Sequence, residues 1–219
     1  MIVAIDGPAG VGKSTVAKLL AARLGCLYLD TGALYRAVAW KVLRSGIQPT
    51  DHEQVVKLLL STSLHMQFQE GVVHVLIDGN TVTGDLRTPE VTAAASLVST
   101  IPAVREWLLP IQRQIGERGS VVAEGRDIGT KVFPTAPYKF FLDANATVRV
   151  ERRHRELVAA GRGGAIESTY QDLSARDQRD RTRPIDPLVP APDAHLIDTS
   201  LLSPEQVVEQ MMAAVSTEL

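Results

Sequence analysis

Ile2-Val3-Ala4-Ile5-Asp6-Gly7-Pro8-Ala9-Gly10-Val11-Gly12-Lys13-Ser14-Thr15 runs from a short apolar segment through a glycine-rich turn into a Lys-Ser-Thr triplet. The apolar segment shows no polar alternation, which marks a strand covered on both faces. Residues 7–14 fit G-x-x-x-x-G-K-[ST], and from Lys13 the apolar Val16, Leu19, Leu20 and Leu24 share one helical face that stops at Gly25. Strand, glycine loop and helix in that order are the setting in which this motif cradles phosphate. Glycines let backbone N–H groups turn inward with no Cβ in the way, and the helix N-terminus adds partial positive charge. Lys13 would then reach β- and γ-phosphates, Ser14 would offer its hydroxyl to Mg²⁺, and Thr15 would cap the α-phosphate. The expected ATP site is Gly7, Pro8, Ala9, Gly10, Val11, Gly12, Lys13, Ser14 and Thr15, with Ser14 as the metal ligand.

Further along, the pattern keeps alternating. Cys26 to Leu29 reads as a second buried strand, Leu34, Val38 and Val42 mark a helix ending near Gly46, and Thr50 with Glu53 forms a capping box for a third helix. Between Leu64 and Leu86 the period becomes two: Leu64, Met66 and Phe68 alternate with polar neighbours, and Glu70-Gly71 and Asp78-Gly79 punctuate the run. A three-stranded antiparallel meander is expected there, inserted on a parallel core. Pro89 and Pro102 suit first helical turns, and Pro110 is placed to kink the second of these helices. Strands at Val121–Glu124, Tyr138–Leu142 and His195–Ile197 follow, with a terminal helix opened by Ser203, Pro204 and Gln206. Strands separated by helices predict an α/β fold with a five-stranded parallel sheet and helices on both faces. The reading is one domain over 1–219, with an acceptor region over 31–105 and an arginine lid over 150–184.

Composition removes other classes. The chain has 219 residues, 45% hydrophobic, which is long enough to bury a core without staples. Its single cysteine, Cys26, forms no internal bridge, and the N-terminus carries no basic, long-apolar leader, so a cytoplasmic protein is expected. A net charge of -2 gives no global field for nucleic acid or anionic membrane. The five histidines show no ligand spacing, so no structural metal site is expected. No dimerisation seam is visible, and a monomer is expected.

Nine arginines between Arg149 and Arg183, dense over Arg176-Asp177-Gln178-Arg179-Asp180-Arg181-Thr182-Arg183, are informative beside a phosphate loop. Mixed charge usually means a solvated helix face. The arginine excess favours a lid, because guanidinium groups suit bidentate phosphate contact and stabilise the charge spread in phosphoryl transfer. Two clusters stand at the carboxyl ends of the second and third core strands: Asp30-Thr31-Gly32-Ala33-Leu34-Tyr35-Arg36, with Thr31 read as a helix cap, and Glu124-Gly125-Arg126-Asp127-Ile128-Gly129-Thr130. Open α/β sheets bind ligands at that end, so both clusters should face the phosphate loop's crevice. A base-reading Asn-Lys-x-Asp of guanine switches is absent.

Together GPAGVGKST, LDTGALYR, RTPEV with AAS, VVAEGRDIGT with VFP and APYKFFLDA, and RDxRDRxR followed by PLVPAPDA resemble bacterial cytidylate kinases over nearly the whole chain. The resemblance implies ATP-dependent phosphorylation of CMP and dCMP with Mg²⁺. It implies a substrate pocket of Thr31, Arg36, Ser96, Arg105, Arg126, Asp127, Arg176, Asp180 and Arg183, with Lys13, Arg126, Arg176 and Arg183 acting in transfer and Asp180 on the ribose hydroxyls. Asp127 would accept from the cytosine amino group, which uracil lacks. Arg36 and Arg126 would neutralise the acceptor phosphate, largely dianionic near neutral pH, so no general base is required. Lys131 and Val150 depart from the family pattern. Two other readings stay open: a P-loop kinase of a non-nucleotide hydroxyl, with Asp127 as base, and a non-catalytic nucleotide-binding regulator.

Overall fold

The computed structural model describes residues 1–69, 72–82 and 85–216. Among them are eight strands: β1 (Ile2–Asp6), β2 (Leu27–Asp30), β3 (Leu64–Gln69), β4 (Val72–Ile77), β5 (Asn80–Thr81), β6 (Val121–Gly125), β7 (Tyr138–Asp143) and β8 (His195–Asp198). The helices are α1 (Lys13–Leu24), α2 (Thr31–Arg44), α3 (His52–Leu59), α4 (Pro89–Val98), α5 (Pro102–Arg113), α6 (Ala146–Ala159), α7 (Ile166–Thr182) and α8 (Pro204–Ser216). Five strands form one sheet of order β2-β6-β1-β7-β8, parallel at every pairing. The other three form an antiparallel sheet, β3-β4-β5, so the inserted meander is present. Its Glu70-Gly71 turn lies outside the described residues.

β1 lies at the centre and shows why its sequence does not alternate. Val3 and Ile5 pack with Val16 and Leu20 of α1 and Val208 and Met211 of α8 on one face. Ala4 packs with Ile115, Ile128 and Phe133 on the other. All three β1 positions are fully buried, as a strand covered on both sides must be. A separate core joins α2, α3, α4 and α5 to the meander through Leu34, Val38, Val55, Val98, Leu64 and Ile77. Met66 and Val73 of the meander also pack against the cluster holding Leu29 of the edge strand β2, next to Leu27.

Local differences from expectation have simple causes. Asp51, not Thr50, caps α3: its carboxylate accepts from Gln54 N at 3.1 Å, so the box with Glu53 does not form. Asp30, not Thr31, caps α2 through Ala33 N, because β2 starts at Leu27 rather than Cys26 and runs up to Asp30. Helix α5 continues past Pro110 to Arg113.

Candidate active site

Because every sheet strand is parallel, the carboxyl ends of β1, β2 and β6 open onto one cleft of about 510 Å³. The phosphate loop forms one wall. Its turns rely on glycine: a Cβ on Gly7 would stand 2.2 Å from Leu142 O, and one on Gly10 2.8 Å from Arg149 O, both at positive φ, so a larger residue at either position displaces the backbone. Lys13, the first residue of α1, is 6% exposed and donates to Pro8 O at 2.7 Å. Burial, then Arg126, lowers its pKa to about 7. Arg176, also on the cleft, is lowered to about 10 by burial and Arg126. A buried Lys, Arg126 and Arg176 crowding one space form a positive site suited to polyphosphate.

The opposite wall is built from side chains on five separate segments. Arg36 donates to Asp30 at 2.7 Å, and its buried Nε has no hydrogen-bond partner, leaving a donor for an incoming anion. Thr31 donates to Glu124 O at 2.8 Å. Arg126 Nε donates to Asp180 of α7 at 2.7 Å. Asp127 lies between two arginines: Arg105 Nη2 reaches Oδ2 and Arg183 Nη2 reaches Oδ1 at 3.4 Å. Burial pushes the Asp127 carboxyl upward against the pull of these two cations. Each carboxylate oxygen keeps lone-pair capacity beyond its arginine. Ser96 accepts from Arg179 Nε at 3.0 Å, leaving its own hydroxyl proton free to donate. All nine expected substrate residues line the one cleft, as do Lys13, Ser14 and Thr15.

Two buried carboxylates support the cleft with no role assigned to them from the sequence, although Glu124 stands in the second strand-end cluster. Glu124 is 4% exposed on the cleft wall and accepts from Tyr28 Oη at 2.9 Å. Asp6, just before the loop, accepts Ile128 N and Gly129 N, each at 2.8 Å, and so ties the loop's strand to the Arg126–Asp127 turn. Burial raises Asp6 to about 6.

The lid region divides. Arg153 and Arg176 face the cleft. Arg149 does not: its Nη1 donates to Ala9 O at 3.0 Å and pairs with Asp177, whose other oxygen accepts Ala9 N at 3.2 Å. Both backbone groups of Ala9 are thus gripped by the roots of α6 and α7. Arg152 donates to Thr199 O at 2.7 Å, and Arg155 is solvent-facing. These three arginines are therefore not lid groups. Charge alone does not distinguish an anchoring arginine from a substrate-facing one. Lys131 lies outside the main cleft and Val150 packs in a small cluster with Ala9 and Leu173, so neither departure enters the main cleft.

A family model described as cytidylate kinase matches residues 3–217. The chain belongs to the cytidylate kinase family. A cytidylate kinase of Pelotomaculum thermopropionicum is 47% identical, with 98% of this chain and 95% of that protein covered. One from Syntrophotalea carbinolica is 44% identical over 99% and 92%. A bifunctional pantoate ligase/cytidylate kinase of Synechococcus elongatus is 47% identical to 96% of this chain, which covers 41% of that longer protein. The sheet and its helices are shared with the crystal structure of an uncharacterized protein from Eubacterium ventriosum, at a TM-score of 0.54, 14% identity, and 99% and 98% coverage. For this cytidylate kinase family member, no helix among the described residues is long and apolar enough to cross a membrane.

Proposed function

We propose that this chain transfers the γ-phosphoryl group of ATP to CMP or dCMP, giving ADP and the nucleoside diphosphate, as a monomeric cytoplasmic kinase. The observation that carries the reading is the continuity of one cleft: the phosphate loop lies at one side, and the Arg36, Arg105, Asp127 and Arg183 wall at the other. A regulator that only held ATP would have no use for the second wall.

The residues divide the work between orientation and charge. The loop's backbone N–H groups and Lys13 hold the donor phosphates, and Arg36 and Arg126 take the acceptor phosphate. The acceptor is already largely ionised near neutral pH, so no side chain need remove a proton. Lys13, Arg126, Arg176 and Arg183 stabilise the charge that spreads as the phosphoryl group moves. Asp127, with Arg105 and Arg183 fixed around it, accepts from the cytosine amino group, and facing uracil it would meet a carbonyl oxygen. Asp180 fixes Arg126 and reaches the sugar hydroxyls. The Ser14 hydroxyl and Glu124 carboxylate, both on the cleft beside Lys13, are hard oxygen donors that fit Mg²⁺. Mg²⁺ bound there supplies charge neutralisation at the phosphate oxygens.

The test is ADP release with Mg·ATP and CMP, dCMP, UMP, AMP, GMP or shikimate, in wild type and Asp127→Asn. Asn keeps the volume between Arg105 and Arg183 where Ala would leave two buried guanidinium groups facing a hole. Turnover with CMP and dCMP, reduced in the variant, is the expected result. Stimulation by shikimate alone would transfer the assignment to a hydroxyl-directed kinase with Asp127 as base.

A further inference from the structure

Asp186 carries a backbone strain that the cleft geometry puts to use. It has φ 48, one of two positive-φ residues other than glycine among the described residues. It also precedes Pro187, a position that favours extended backbone, so the left-handed state is doubly unfavourable. Such strain persists only where surrounding contacts enforce it, and it concentrates at working sites. The contacts here are specific. Asp186 Oδ2 accepts Arg105 Nε at 3.0 Å, and its carbonyl oxygen accepts Arg183 Nε at 2.7 Å. Arg105 and Arg183 are the two arginines that hold the two oxygens of Asp127. One strained residue therefore fixes both guanidinium planes from behind.

On the cleft side Arg105 lies over the Tyr35 ring, 5.6 Å from its centroid, and donates to Ser99 O at 3.3 Å; Asp186 holds it from the other side. A second cavity of about 70 Å³, lined by Gln112, Lys131 and Asp186, lies on the far side of Tyr35, Arg105 and Asp127, which line the main cleft as well. The wall between the two spaces is one layer of side chains. A thin polar wall stays in place through its hydrogen bonds, and Asp186 supplies the outer ones. Lys131 Nζ, 3.8 Å from Asp186 Oδ1, contributes a half-exposed charge to the same corner.

We infer that Asp186 is a positioning residue for recognition of the acceptor's base: its carboxylate and carbonyl hold Arg105 and Arg183 so that Asp127 is presented to the pyrimidine edge. The inference rests on the CMP-kinase reading above. It assigns Asp186 no contact with substrate, and it places the effect on the acceptor rather than on ATP.

Three variants test it: Asp186→Ala, Asp186→Asn and Asp186→Gly, each assayed for KM of CMP, UMP and ATP, for kcat, and for CMP binding by calorimetry without ATP. Asp186→Ala should raise KM for CMP and weaken CMP binding about tenfold, narrow the CMP over UMP preference, and leave KM for ATP within about twofold. Asp186→Asn tolerates the left-handed state and still accepts from Arg105, so it should remain within about threefold of wild type. Asp186→Gly removes both strain and carboxylate; relief of the first offsets loss of the second, so it should fold about as stably as wild type yet bind CMP as weakly as the Ala variant. Stability and affinity moving apart is a result that a merely structural aspartate would not give. Unchanged CMP binding in the Gly variant, or KM for ATP rising in step with KM for CMP, overturns the inference. Failure of wild type itself to turn over CMP would instead overturn the reading on which it rests.

Discussion

The two walls of the cleft are made by different means. The donor wall is backbone: one contiguous stretch whose glycines let Leu142 O and Arg149 O approach where a Cβ would stand. The acceptor wall is side chain: Arg36, Ser96, Arg105, Asp127, Asp180 and Arg183 come from α2, α4, α5, the turn after β6, and α7 and its end, held by ion pairs of Arg105 and Arg183 with Asp127, Arg126 with Asp180 and Arg36 with Asp30, and by the Arg179–Ser96 hydrogen bond. A backbone site accommodates any nucleoside triphosphate's phosphates, whereas a side-chain site can be particular about a base. On the proposed roles the contrast separates donor binding from base recognition along the length of the cleft, with Arg126 and Arg183 serving both acceptor and transfer.

The severest challenge to that separation is Lys13→Met. Turnover should fall by about three orders of magnitude or more, while CMP binding by calorimetry stays within about threefold. Removing a buried amine whose charged form burial disfavours should also raise the ligand-free Tm, by about 2–4 °C for each kcal/mol regained. Next comes Gly10→Ala, which should weaken ATP binding about a hundredfold and again spare CMP. From the other wall, Asp180→Asn should raise KM for CMP about thirtyfold through loss of a charged partner for Arg126, with KM for ATP nearly unchanged. Either variant moving both constants together would merge the two walls into one.

A pH titration sharpens the donor side. With its pKa lowered to about 7, Lys13 is mostly neutral above that pH in the free protein and must take up a proton to meet phosphate. ATP affinity should therefore weaken by up to about tenfold per pH unit above 7, and calorimetry at pH 8 in buffers of differing ionisation enthalpy should read an uptake of about one proton. The corresponding stability penalty is full below pH 7, where folding must bury a charge, and fades toward the ordinary lysine value of 10.5. The smallest effect belongs to Arg155→Ala, an exposed arginine 3.9 Å from Glu151, which should change neither KM by more than about twofold.

The same contrast decides what could be read from the sequence. The strand, loop and helix around Gly7–Thr15 are legible because a local motif makes them, and the meander is legible because its period is two. The sheet order is not written in any one segment; it is set by long-range pairing, with β6 taking its place between β1 and β2. On the acceptor wall the arginines were visible as a class, but their duties were not. Arg149 and Arg176 look alike in sequence, and only the fold puts one on Ala9 and the other in the cleft. Asp6 and Asp186 escaped because each acts through a residue distant in sequence, and for the same reason Glu124 and Arg179, visible in the strand-end cluster and the arginine run, showed no individual duty there. Asp186 sits in a proline-rich connection where a left-handed aspartate leaves no compositional trace.

The meander, described above only as an insertion against β2, has a bearing on keeping the chain from associating with itself. An open parallel sheet has two unpaired margins, each a template for another chain's backbone. At one of them, β8 is four residues long and offers little length to pair. At the other, Met66 and Val73 lie against the apolar cluster around Leu29, so the inserted sheet shields a margin that would otherwise be sticky. Excising it would leave the phosphate loop intact and deprive the edge of its guard, and the shortened protein should precipitate before it loses the ability to hold ATP.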